Sequence, residues 1–123
     1  MEKVVLDTNI LIEVLKGNEL IIDKLETLGA TLCISSISAM ELYYGAFNKQ
    51  ELIRLKKFIN LFEVIEINEK MSTASTELIF EYAKSHNLTI PDSLIASTAI
   101  SENLKLFTLN LKDFRYIDSL NLL

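Results

Sequence analysis

Acidic side chains stand at several predicted junctions between strands and helices of this 123-residue chain. Asp7, Glu41 and Asp92 each lie where a predicted strand ends or a predicted helix begins, and Asn110 with Asp113 follows the last clear strand. The carboxyl ends of parallel strands meet at one edge of a sheet, so these side chains are expected to converge there. Converging carboxylates raise one another's pKa or require a cation. Oxygen ligands around Mg²⁺ or Mn²⁺ suit chemistry on phosphates, so metal-dependent phosphodiester cleavage is the first functional hypothesis.

Two of the acids also have a structural interpretation as helix-start residues. Asp7 precedes a predicted helix and has the position of an N-cap, a role that leaves its second oxygen free to act as a ligand. Asp92 follows Pro91 at the start of another helix, where a negative charge interacts favourably with the helix dipole. The joint placement of the acids at separate junctions is what favours a functional site.

Glu41 has its own structural alternative. With Ser38 it forms the pattern of a capping box, in which the two side chains satisfy the first N–H groups of a helix. Glu41 also borders an apolar stripe formed by Ile37, Met40 and Tyr44, which predicts that its carboxylate is partly buried. A buried charge needs a partner, so a ligand role is as well supported as a capping role.

The segment after the last clear strand leaves two interpretations open. Asn110 and Asp113 belong to a stretch whose residue types favour turns. The same two side chains can instead supply a fourth ligand or a pair that positions water. Composition does not separate these interpretations.

Strand-like segments alternate with helical ones throughout the chain. Apolar residues at helical spacing predict six helices, the last of which begins at Pro91. This alternation indicates an α/β fold with a central parallel sheet of about five strands and helices on both faces. Runs of apolar and β-branched residues predict the strands at 3–6, 31–35, 64–67, 105–108 and, for the fifth, 116–117 or 120–123.

The composition is that of an ordinary globular protein. The length fits a single domain covering residues 1–123, and half of the residues are apolar. Neither a secretion signal nor a membrane span is predicted, so a cytoplasmic location without a membrane partner is expected. The single Cys33 excludes an internal disulfide. The net charge of −5 argues weakly against a conventional nucleic-acid-binding protein, but an acidic nuclease site would account for part of it.

Other catalytic constellations are missing from the sequence. There is no glycine-rich phosphate loop, and one His with one Cys cannot form a zinc site. His86 stands at a predicted helix end, where a surface role is expected. A signal-receiver domain would need an adjacent pair of acids after the first strand, and a dehalogenase-like phosphatase would need a second Asp where this chain has Asn9.

Four segments of the chain resemble the signatures of PIN-domain ribonucleases. In order they read VVLDTNILI at 4–12, SAMELYYGA at 38–46, IPDSLIA at 90–96 and TLNLKDF at 108–114. Together they span nearly the whole chain. Its size most resembles the toxin of a VapBC toxin–antitoxin pair.

This resemblance implies a PIN-like three-layer α/β/α fold and an endoribonuclease dependent on Mg²⁺ or Mn²⁺. Asp7, Glu41 and Asp92 would form the acidic core and hold the metal, with Asp7 and Asp92 as its direct ligands. The family often has a fourth acid in the last segment, where this chain offers Asn110 and Asp113. An Asn at that place would remove one charge and weaken a second metal site.

The resemblance also implies a substrate and partners. RNA would be cleaved, with Thr8 and Thr108 matching the family's hydroxyl positions and with Lys112 and Arg115 able to bind RNA phosphates. Lys3 is a further cation expected near the edge of the site. All three cations can equally be solvated surface charges, and that interpretation is slightly favoured for Lys3. A cognate VapB-like antitoxin and a homodimer are the expected protein partners. The alternative is a non-catalytic PIN-like module that binds RNA or protein.

Overall fold

The computed structural model describes residues 2–123 as strands alternating with helices. The four strands predicted with firm boundaries and the six helices all form, while strand ends differ from the prediction by up to two residues. The elements are β1 (Lys3–Leu6), α1 (Thr8–Leu15), α2 (Glu19–Leu28), β2 (Thr31–Ser35), α3 (Ser36–Tyr44), α4 (Lys49–Ile59), β3 (Glu63–Ile65), α5 (Glu69–His86), α6 (Ile90–Ser101), β4 (Lys105–Phe107) and a short 3-10 helix (Leu111–Asp113).

All four strands are parallel and lie in the order β3-β2-β1-β4. Val5 of β1 pairs with Cys33 on one side and with Leu106 on the other. The chain moves outward from β1 through β2 to β3 and then returns to the opposite side of β1. The strand order therefore reverses at β1, and a ligand site is expected at the carboxyl ends of β1 and β4.

The predicted fifth strand is reduced to a single bridge in the described residues. Leu122 lies parallel to Leu106, held by the Leu106 N–H donating to the Asn121 carbonyl and the Leu123 N–H donating to the Leu106 carbonyl. The segment 116–117 forms turns instead, since the Ile117 N–H donates back to the Phe114 carbonyl. Within the described residues the C-terminal segment pairs with β4 at this position alone, so it does not extend the sheet as a fifth strand.

Helices cover both faces of the sheet. Along β1, Val4 and Leu6 face one core, which packs against α1 to α4, and Val5 faces the other, which packs against α5, α6 and the C-terminal segment. This alternation follows from the two-residue repeat of a strand. The three-layer α/β arrangement is confirmed. Among residues 2–123, none of the helices combines the length and apolar character needed to cross a bilayer.

The predicted apolar stripe of the third helix is wrong. Met40, Tyr44 and Phe47 are 58%, 94% and 93% exposed, and Phe47 lies beyond the end of α3. Small side chains make up most of the buried face of α3, and Met40 and Tyr44 face outward. The buried residues of α3 are Ser36, Ser38, Ala39 and Leu42.

Candidate active site

Asp7 is fixed at the carboxyl end of β1 by contacts to β4. Its N–H donates to the Phe107 carbonyl at 2.9 Å, which continues the strand pairing by one residue. Its Oδ1 accepts from the Thr8 N–H at 2.8 Å, so Asp7 is the N-cap of α1, as predicted. Its Oδ2 accepts from the Thr108 hydroxyl at 2.7 Å. The side chain is buried, with both oxygens hydrogen-bonded by the loops that flank it.

Asp92 lies half-buried in the first turn of α6, where the charges of the other acids act on its carboxylate. Burial, and then the charges of Asp7, Asp113 and Glu41, raise the pKa of Asp92 to about 6. Burial also raises the pKa of Asp7, helped by Glu41 and Asp113 and opposed by its hydrogen bonds. The structure therefore brings all four acids within electrostatic reach. None of the four forms an ion pair within residues 2–123.

Glu41 reaches the site from α3 through a hydroxyl. Its Oε1 accepts from the Thr8 hydroxyl at 2.7 Å, and that hydroxyl lies 2.8 Å from the Ser38 hydroxyl, which can donate to it in turn. The capping-box interpretation is wrong because α3 begins before Ser38, with Ser35 as the N-cap that accepts from the Ile37 N–H. The predicted partial burial is also wrong, since Glu41 is exposed.

Thr108 joins the two loops that border Asp7. While its hydroxyl donates to Asp7, the same oxygen accepts from the Asn110 N–H at 3.0 Å and from the Asn9 side-chain amide at 3.4 Å. The side-chain oxygen of Asn9, Oδ1, accepts from the Leu109 N–H at 3.3 Å. Sequence reasoning assigned no role to Asn9. The available signal was its position two residues after an acid at a strand end, where an amide can bridge to a neighbouring loop.

The two candidates for a fourth site residue behave differently. The Asn110 side chain makes no capping hydrogen bond. The backbone carbonyl of Asn110 accepts from the Asp113 N–H. Asp113 ends the 3-10 helix, is exposed, and adds its charge to the field at Asp7 and Asp92. Of the two candidates, Asp113 is the one whose charge acts on Asp7 and Asp92.

The donor set fits a hard divalent cation bound in an open site. Across residues 2–123, no three His, Cys, Asp or Glu side chains lie close enough together to enclose a metal ion. Mg²⁺-like ions do not need such a cage, because they retain several waters and bind through one or two carboxylates with substrate phosphates. A cation would also relieve the repulsion among the acids. A structural zinc site does not fit, because its ligands would have to surround the metal.

The predicted RNA-binding cations divide between two ends of the sheet. Lys112 and Arg115 line a pocket of about 590 Å³ together with Asp113, on the same side as the acids. Lys3 begins β1, at the opposite end of the strand from Asp7, and its Nζ forms an ion pair with Glu63 at 2.9 Å. The expectation that Lys3 lies at the site edge is therefore wrong.

Known proteins share the sequence pattern and the fold of this chain. The family model described as PIN domain matches residues 4–120. The chain is 30% identical to Ribonuclease VapC2 of Haemophilus influenzae, with 98% of this chain and 96% of the relative covered. It is 31% identical to the tRNA(fMet)-specific endonuclease VapC of Salmonella typhimurium, over 99% of this chain and 97% of that one. The crystal structure of VapBC2 from Rickettsia felis bound to a promoter DNA fragment matches with a TM-score of 0.83, 35% identity and coverage of 98% and 97%.

Proposed function

This chain belongs to the PIN domain family, and from that membership we propose that it is a metal-dependent endoribonuclease, the toxin of a type II toxin–antitoxin pair. Relatives that share about 30% of its residues over nearly their whole length are named ribonucleases or endonucleases. The proposal treats residues 1–123 as one catalytic domain that hydrolyses phosphodiester bonds of RNA.

The observation that carries this proposal is the shared field of four carboxylates at the switch in strand order. Asp92 is protonated more readily than an ordinary aspartate, first because burial disfavours its charge and then because Asp7, Asp113 and Glu41 repel it. Such an arrangement costs stability unless an external cation joins it. A site of this kind is suited to binding a cation and the phosphate that the cation attracts.

Asp7 and Asp92 are the proposed direct ligands of one or two Mg²⁺ or Mn²⁺ ions, with Glu41 contributing directly or through water. A bound metal would lower the pKa of a water molecule and neutralise charge at the scissile phosphate. Thr108 keeps one oxygen of Asp7 in a fixed hydrogen bond and so sets the orientation of the carboxylate. Asp113 is the preferred fourth acid because its charge reaches both Asp7 and Asp92.

Glu41 is proposed to orient the water that attacks the phosphorus. Its exposure leaves one side of the carboxylate open to solvent, while the Thr8 hydroxyl fixes Oε1. Attack in line with the leaving oxygen would produce a 5′-phosphate and a 3′-hydroxyl. Lys112 and Arg115 would bind phosphates of the RNA on the same side of the sheet.

A VapB-like antitoxin and a second copy of the chain are the proposed protein partners. Among the structures that the chain resembles, several are described as VapBC complexes. The exposed side chains of Met40, Tyr44 and Ile90 support a protein contact, since together with Pro91 and Leu94 they form an apolar surface beside Glu41. Cover over this surface would also restrict access to the acids.

Cleavage by antitoxin-free protein tests the proposal. A panel of structured RNAs, initiator tRNA included, is incubated with protein in Mg²⁺, in Mn²⁺ or in EDTA, beside an Asp92→Asn control. Cleavage that requires metal and is lost in the variant supports the nuclease. RNA binding without cleavage under every metal condition would overturn it and favour the alternative, a non-catalytic binding module.

A further inference from the structure

A pocket adjoins the acids where α5 ends and the C-terminal segment begins. Its volume is about 590 Å³, and its cations are Lys112 and Arg115. Asp113 lines this pocket, and its charge also acts on Asp7 and Asp92. The pocket therefore lies within electrostatic range of the other acids. The complete lining is Ser85, His86, Asn87, Lys112, Asp113, Arg115 and Tyr116.

One wall of the pocket is an aromatic stack. The His86 ring lies on the Tyr116 ring with centroids 4.1 Å apart and planes 19° apart. Tyr82 packs behind both rings, at 4.9 Å from Tyr116 and 5.5 Å from His86. His86 is the last residue of α5 and is exposed, whereas Tyr116 is half-buried. The His86 imidazole is therefore the solvent-exposed ring of the stack, and Tyr82 and Tyr116 pack against it.

Tyr116 links this wall to the acids. Its hydroxyl is buried and, within residues 2–123, has no hydrogen-bond partner. Burial, followed by the charges of Asp92 and Asp113, raises the pKa of Tyr116, so the ring lies within electrostatic range of both carboxylates. A buried hydroxyl without a partner calls for an explanation, and a site that a ligand or its water completes provides one.

We propose that this pocket holds one unpaired nucleotide of the RNA beside the scissile bond, with its base stacked on His86 and its phosphate bound by Lys112 and Arg115. The inference rests on the proposed function, and it adds the contacts of one nucleotide, which has to be unpaired because a base within a duplex is already stacked on its neighbours. Four carboxylates and a net charge of −5 repel RNA, so affinity has to come from contacts next to them. Stacking provides such contacts for any base.

Binding of single-stranded RNA to the Asp92→Asn protein in Mg²⁺ tests the pocket without destroying the probe. The probes are fluorescein-labelled oligouridylate and oligoadenylate, followed by anisotropy. His86→Ala should weaken binding by about 5- to 150-fold, the range for loss of one base–aromatic stack. His86→Phe should restore binding, because it keeps the ring. Phe80→Ala, which removes another exposed aromatic of α5, should bind as the parent does.

The salt dependence of the affinity distinguishes the contribution of the cations from that of the aromatic stack. Lys112→Ala and Arg115→Ala should each reduce the slope of log affinity against log salt by about 0.7, the value for one phosphate contact with a single strand. His86→Phe should leave that slope unchanged. Lys84→Ala, which removes a cation of α5 outside the pocket lining, is the matched control and should also leave it unchanged.

The outcomes separate this inference from the nuclease itself. Parental affinity in His86→Ala, equal losses in His86→Phe and His86→Ala, or no binding of either oligonucleotide would overturn the pocket assignment, even if metal-dependent cleavage is observed. Binding that depends on His86 in a protein that cuts no RNA would keep the pocket and overturn the nuclease.

Discussion

The two ends of the sheet have carboxylates in opposite circumstances. At the amino end, Glu63 accepts a hydrogen bond from Lys3 at 2.9 Å, and this contact lowers the pKa of the carboxyl. At the carboxyl end, burial and neighbouring acids raise the pKa of Asp92 to about 6. The first carboxylate has its cation within the chain, whereas the second stands among other acids. Acids that fold together without a cation are arranged for an external one, and this difference separates a structural contact from a site.

Asp92→Asn should give the largest effect that tests this comparison. Loss of one proposed metal ligand should reduce RNA cleavage to the level of the EDTA-treated parent. Glu63→Gln, which also replaces a carboxylate with an amide but at the opposite end of the sheet, should leave cleavage intact. Cleavage by Asp92→Asn at the parental rate in a gel assay would remove the distinction between the two ends.

Mg²⁺ should stabilise the folded protein through the acidic end alone. Binding to the folded state only contributes about 2.7 kcal/mol at a metal concentration one hundred times Kd. Thermal unfolding should show a rise in Tm with Mg²⁺ that EDTA reverses and that Asp92→Asn diminishes. Glu63→Gln should retain the full rise. An equal rise in both variants would contradict the assignment of metal to Asp92.

The pH dependence of metal-free stability should have opposite signs at the two ends. Asp92 binds its proton more tightly when folded, so its stabilisation is complete below pH 3.8 and is lost as pH rises through about 6. Glu63 has a lowered folded-state pKa, so its stabilisation is present above 4.5 and is lost as pH falls.

Urea unfolding in EDTA checks these signs. The stability of Asp92→Asn relative to the parent should increase by about 1 kcal/mol between pH 4 and pH 7, less than the full rise in the pKa of Asp92 would give, because water screens a half-buried carboxylate. Glu63→Gln should lose relative stability over the same interval. A flat difference for Asp92→Asn would show that folding does not raise the pKa of Asp92.

Thr8→Val should have the smallest effect. It removes the hydroxyl that holds Glu41 while keeping the side-chain shape, and loss of such an indirect contact lowers activity by about 10-fold. The fall should appear in kcat rather than KM, because Glu41 is proposed to orient water. Thr27→Val removes an exposed hydroxyl bonded to the Asp23 carbonyl and should be neutral.

The elements of the fold could be predicted because hydrophobic periodicity reports burial directly. The buried runs at β1 and β2 read as strands for that reason. The third helix misled because Met40 and Tyr44 are apolar yet exposed, and a single sequence does not distinguish a core face from one that another protein covers. The small residues beside them, which form its buried face, carry little hydropathy signal.

The placement of the acids could be predicted from topology, but their supporting contacts could not. Parallel strands with reversed order place Asp7 near the loop after β4 whatever the side chains are. That Thr108 donates to Asp7, and that Asn9 bridges the two loops, depends on side-chain geometry across long sequence separations. The fourth acid required the same information, since both Asn110 and Asp113 have turn-forming character.

The hydrogen bond between Asp7 and Thr108 also bears on how the protein is made. The two residues are 101 positions apart, and the first strand pairs with the last. Such a non-local contact forms late in folding, after its loop-closure entropy has been overcome. A nascent chain lacks β4 and the loop that orients Asp7 until residues 105–108 have been made and have left the ribosome. A chain released before that point has no Thr108 hydroxyl to hold Asp7, so we expect it to be inactive as a nuclease.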